Sequence, residues 1–225
     1  YFIFQDFDGV DPFAARGSVA LGAAGIDNGE VYALGARLAG SALDNALEYK
    51  LEGVYEFGEV ELSGASNPDV RAYAIEAGLK YMLEGDNNPW VSATYVLLSG
   101  DDDADDFETF LPFAENRTYG EIGDLFASTN LHILNLAGGL DLSEDIALTL
   151  QYYYFKAFEE DIIWGGEDSV GHEFDAYLDY TFSEETSMML AAGILLPDDG
   201  LEDGNFGAGA DDEAWFVRAG VKVEF

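Results

Sequence analysis

The 225-residue chain has no cysteine, so disulfides and thiol chemistry are excluded, and an oxidising compartment is permitted but not required. It has only 9 Lys plus Arg against 45 Asp plus Glu, a formal charge of -36. That balance argues against a nucleic-acid partner, because nothing neutralises a row of phosphates. It fits a solvent-facing surface, divalent cations or a saline environment. No run of 18 uncharged apolar residues is present, which argues against a transmembrane helix. Neither a Met nor a basic leader precedes Tyr1-Phe2-Ile3-Phe4, and this start reads as a processed end or a fragment.

What the chain does have is aromatic and alternating. The 16 Phe, 13 Tyr and 3 Trp lie in regular runs, so disorder does not follow from the charge. Residues 213–225, EAWFVRAGVKVEF, set Trp215, Val217, Ala219, Val221, Val223 and Phe225 on one face. Similar period-two runs place strands at about 1–7, 30–42, 46–59, 70–83, 89–99, 129–142, 146–157, 171–182, 186–197 and 213–225. Most exceed the usual 5 or 6 residues of a soluble strand. They match the roughly 9–11 residues that a tilted strand needs to cross a bilayer. The segment 17–26 is read as loop, because a strand there would break the up-and-down parity.

The connections alternate in length. Residues 43–45, 84–88, 143–145 and 183–185 are short; 8–29, 60–69, 100–128, 158–170 and 198–212 are long. A meander then carries its short turns at one end and its long loops at the other, as outer-membrane barrels do. The faces agree: Leu47, Tyr49, Leu51, Tyr55 and Phe57 oppose Glu48, Lys50, Glu52 and Glu56. Alternation alone also fits a soluble sheet with one face on a core. Aromatics near strand ends and mid-strand charges of both signs favour a membrane barrel with a wet lumen. The expected fold is therefore all-β: a transmembrane antiparallel up-and-down β-barrel with about 10 strands in view. Closure is expected because an open edge in lipid strands its N–H and C=O groups.

The stretch WVSATYVLLSGDDDADDFETFLPFAENRTYGEIGDLF, residues 90–126, resembles the outer-membrane alginate export family. The resemblance rests on Ser99, Gly100, Asp101, Pro112, Phe113, Arg117, Tyr119, Gly120 and Asp124. A second match is GHEFDAYLDYTFS, with Gly171, Glu173 and Asp175; VYALGARLAG and LEYKLEGVYEFG add weaker likeness. The resemblance implies an 18-stranded barrel that passes an anionic polysaccharide. Residues 1–225 would then be one outer-membrane barrel domain, the C-terminal portion of a larger barrel. It also implies an Arg/Lys-lined constriction, whereas this chain adds net negative charge to the lumen.

The residues expected to line the lumen are Arg37, Glu48, Lys50, Glu52, Glu56, Glu76, Lys80, Glu173, Asp175, Asp179, Arg218 and Lys222. The cations form either a ladder guiding anions or pairs with neighbouring carboxylates. Asp101, Arg117, Tyr119 and Asp124 belong to a long loop that folds inward as a constriction or lies over the mouth. The acidic loops at 101–106, 159–161 and 198–203 are solvated, with Ca²⁺ as an alternative occupant. His132 and His172 lack companions for a zinc site, and no catalytic motif appears. The function expected is an outer-membrane channel, a porin or polysaccharide exporter passing hydrophilic solutes or an anionic polysaccharide such as alginate. A barrel with a blocked lumen and a structural or surface-binding role is the alternative. The partners expected are outer-membrane lipid and lipopolysaccharide, the transported solute, and, through the terminal Phe225, the outer-membrane assembly machinery.

Overall fold

The computed structural model describes residues 2–8, 26–62, 67–101, 106–112, 119–125, 129–160, 164–202 and 212–224. Ten long strands follow one another in a single antiparallel sheet: β1 (Phe2–Asp8), β2 (Ile26–Ala42), β3 (Leu47–Leu62), β4 (Asp69–Met82), β5 (Trp90–Leu98), β7 (Leu131–Ser143), β8 (Ile146–Ala157), β9 (Ser169–Ser183), β10 (Thr186–Pro197) and β11 (Ala214–Val223). Every expected strand is found, with ends within a few residues of the alternation. A further two-residue strand, β6 (Asp106–Phe107), lies parallel to β4 beside Asp69 and Val70. Of the segment 17–26, read as loop, only Ile26 lies within the described residues, where it opens β2.

The closed barrel is not what these strands form. Among the described residues, β1 pairs only with β2 and β11 only with β10; no ladder joins the two ends. Alternation and loop lengths fix the order and faces of neighbouring strands. They carry no information about whether the first strand meets the last, and the sheet is open.

One face is apolar and bare. Leu79, Leu150, Trp215, Val217 and Val221 are 55%, 54%, 74%, 74% and 67% exposed, and Phe57 lies beside them. Leu178, on the same face, is half-buried. Aromatic side chains gather on this face near both strand ends. Towards the long loops, Phe2 stacks on Tyr32 and Tyr32 on Phe57, with ring centroids 6.0 and 5.5 Å apart. Towards the short turns, Tyr180 meets Phe182 edge-on at 4.4 Å. Such paired belts suit the two interfaces of a membrane.

The opposite face changes character along its height. Towards the short turns it carries Arg37, Ser41, Glu48, Lys50, Lys80, Ser92, Thr94 and Gln151. Towards the long loops the same rows carry Val31, Ala33, Val60, Val70, Ala72, Val96, Leu98, Leu131, Ile133, Phe155 and Leu195, all buried. These form two adjoining cores, and Phe110 packs against both. The wet face expected along the whole strand is thus polar in one half and packed with protein in the other.

The bare face has a direct test. Leu150→Arg should cost roughly 2–4 kcal/mol in folding into lipid vesicles, as an arginine near mid-membrane does. Thr149→Arg, on the opposite face, should cost much less. Equal penalties would contradict the assignment of the faces.

Candidate functional site: the polar face and the chain that covers it

The cover over the loop-end half comes from the connection between β5 and β7. Its exit is fastened at Ser99. The Ser99 hydroxyl donates to the Glu108 carbonyl at 2.6 Å and accepts from the Tyr73 N–H at 2.9 Å. The Ser99 carbonyl accepts the N–H groups of Phe110 and Asn130 at 3.0 and 3.2 Å. Asn130, which the sequence reading did not single out, closes the other side by accepting the Glu159 N–H at 2.8 Å. The chain then turns back across the sheet. Phe107 and Leu111 enter the core formed with Val31, Val60, Val70 and Ala72. Tyr119 and Ile122 pack on the core of Val96, Leu98, Leu131 and Phe155. The described parts of this loop lie against the polar face of the sheet.

Two buried carboxylates receive this cover. Glu56 is 0% exposed and accepts the Leu111 N–H at 2.9 Å. Glu173, also 0% exposed, accepts three successive N–H groups, from Glu121 at 2.7 Å, Ile122 at 2.8 Å and Gly123 at 2.6 Å. Glu173 accepts three N–H groups where Glu56 accepts one, so Glu173 is the stronger anchor. Gly120 has φ +83°, and a Cβ there would run into the Glu173 carboxylate. A Cβ at Gly123 would meet both the Phe155 ring and that carboxylate. The cradle therefore exists only because both positions lack side chains. Its partners come from the Tyr-Gly element and the Gly-x-Glu-x-Asp strand, two separate matches in the sequence that meet in space.

The cover also reaches β11. Arg218 donates to Glu121 at 2.6 Å, passing β10 where Ala191 and Gly193 leave room. Asp175 sits beside Glu173 and is 3% exposed. Asp101 and Asp124 are half-buried in the cover, while Arg117 lies outside the described residues.

All twelve residues expected to line a lumen share the face opposite the bare apolar one. Arg37, Glu48, Lys50 and Lys80 border a recess of about 600 Å³ near the short turns, with Trp90, Ser92 and Thr94. Their cations are partnered: Arg37 lies 4.0 Å from Glu52, Lys50 pairs with Glu76, and the Lys80 ammonium stands 4.4 Å over the Trp90 ring. Lys222 pairs with Glu224 at 2.5 Å, and Asp179 is exposed. Glu56, Glu173 and Asp175 instead lie under the cover.

The histidines belong to the apolar face, where Tyr95 and Tyr152 hydroxyls meet the Nδ1 atoms of His132 and His172 at 2.6 and 2.8 Å. Among the described residues no group of three His, Asp or Glu is placed to hold a metal ion. Just before β9, the Asp168 carboxyl is held below its ordinary range by a hydrogen bond from the Lys156 ammonium at the end of β8, 2.5 Å away.

A family model described as alginate export matches residues 14–206. No curated protein matches the chain. Among solved structures, a NanC porin in a rhombohedral crystal form is similar at 12% identity and a TM-score of 0.42, over 87% of this chain and 94% of that one.

The cradle can be tested with two glycines of nearly equal conformation. Gly166 has φ +84° with open space around it. Gly166→Ala should cost only the backbone strain, about 1–3 kcal/mol. Gly120→Ala should add crowding worth roughly 1–3 kcal/mol more. Urea unfolding of the two variants from vesicles gives the difference, and equal losses would remove the cradle from the account.

Proposed function

This chain belongs to the alginate export family, and on that premise we propose that its polar face walls a path by which an acidic polysaccharide crosses the outer membrane. The family gives the chain its compartment, the outer membrane, and its role, transport without a chemical step. Lipid, lipopolysaccharide and the assembly machinery follow as the usual partners of such a protein.

The observation that carries the substrate reading is the recess near the short turns. Three of the chain's nine Lys and Arg residues, Arg37, Lys50 and Lys80, border one space with Trp90, Ser92 and Thr94. Cations answer a uronate carboxylate, hydroxyls answer sugar hydroxyls, and an indole offers a flat apolar surface to a pyranose ring. In a chain of charge -36 such a concentration of cations is unusual.

The packed loop-end half favours a second reading, in which the path is shut and the protein has a structural or surface-binding role. Planar-bilayer recording separates the two, because a shut path carries no steady current. On the transport reading, acidic uronate oligosaccharides interrupt the current and neutral glucan oligosaccharides of equal length do not. Lys80→Gln should shorten the interruptions several-fold while leaving the open current near its original value. Equal interruption by acidic and neutral sugars would overturn the acidic substrate.

A further inference from the structure

The cover has a mechanical consequence for transport that the family match does not supply. Its segment 119–125 is held at two points of different chemistry. Glu173 fixes the backbone through the N–H groups of residues 121, 122 and 123. Arg218 fixes the Glu121 side chain at 2.6 Å. The two points are linked, because the residue whose N–H is held by Glu173 is the residue whose carboxylate holds Arg218. Glu173 never meets solvent, being 0% exposed. Arg218 is half exposed on the polar face, at the margin of the covered half.

We propose that Glu173 is a positioning residue for transport: by fixing residues 121–123 it sets how far the cover stands over the polar path and keeps the charge of Arg218 cancelled by Glu121. This rests on the reading of the polar face as a transport path. Without the Glu173 carboxylate the three N–H groups lose their acceptor, and the segment keeps only the packing of Tyr119 and Ile122 and the Arg218 pair to hold it at that height. Glu121 then leaves Arg218. The cover stands less close over the path, and an uncancelled cation is exposed beside it.

The two consequences are separable. Glu173→Ala should raise single-channel conductance at least twofold and move the reversal potential under a salt gradient towards anions. Glu173→Gln keeps one acceptor oxygen and should fall between that variant and the original protein. Glu121→Gln leaves the backbone cradle intact, so it should move the reversal potential towards anions with little change in conductance. A purely structural Glu173 would lower the folded fraction in heat-modifiable gel mobility without altering the channels that do insert. Original conductance and reversal potential in folded Glu173→Ala would overturn the proposal and leave the transport reading standing. If Glu173→Ala does not insert, an unmoved reversal potential in Glu121→Gln overturns it instead. Folded protein that passes no current in any of these forms would overturn both.

Discussion

A β-strand has two faces, and these strands have to meet three environments. One face is committed to lipid along its whole height, as Leu79, Leu150 and Val217 indicate. The other must meet water near the short turns and protein near the long loops. Apolar side chains at Val31, Val60, Val70, Leu98 and Ile133 cannot be left against water without losing about 1.5–3 kcal/mol apiece. The β5–β7 connection covers them, and Phe107, Phe110, Leu111, Tyr119 and Ile122 are its contribution to the cores. The length of that connection follows from the need to cross the sheet face and return to β7.

Covering an apolar surface with an irregular chain creates a second problem, because the backbone of the cover is itself polar. A loop laid on a sheet cannot give its N–H groups to a ladder. Glu173 solves this for three residues in a row. An apolar residue in its place would leave three donors unmet, each at about 1–3 kcal/mol. A buried carboxylate alone would also be costly, and the donors repay its desolvation. Glu56 does the same less completely, with one donor. The buried acids of the β3 and β9 strands thus act first on the architecture of the cover.

Much of this order is legible in the sequence. Strands at 146–157 and 186–197 have the bounds that alternation gives, because each is long and is entered from a short polar turn. The dry half of the second face is harder to see. Its signal is local: Val96-Leu97-Leu98 and Leu131-His132-Ile133-Leu134 break the alternation and read as strands buried on both faces. The contact between Gly120 and Glu173 spans fifty-odd residues, and no spacing rule predicts which acid a glycine-rich turn will cradle. Openness of the sheet is invisible for the same reason. It depends on how β1 and β11 lie in space, and neither strand's own pattern encodes that.

The charges of the polar face bear on how an acidic polymer would travel along it. Arg37, Lys50, Arg218 and Lys222 each lie within ion-pair distance of a carboxylate, and Lys80 rests on an indole. Paired charges have fields that fall off faster than those of single charges, and salt at physiological strength screens anything beyond about 8 Å. From the bulk such a wall attracts an anion little, and a chain of charge -36 repels it. Close to the wall the balance differs. A uronate that reaches Lys80 or Lys50 can compete with the existing carboxylate or indole partner at contact distance, and its ring can meet Trp90 at the same time. On the proposed reading, affinity for a uronate would arise at contact, one sugar at a time, with little long-range pull. A polymer held weakly and locally can be passed from site to site, whereas a bare cationic wall in the same low-dielectric setting would hold it fast.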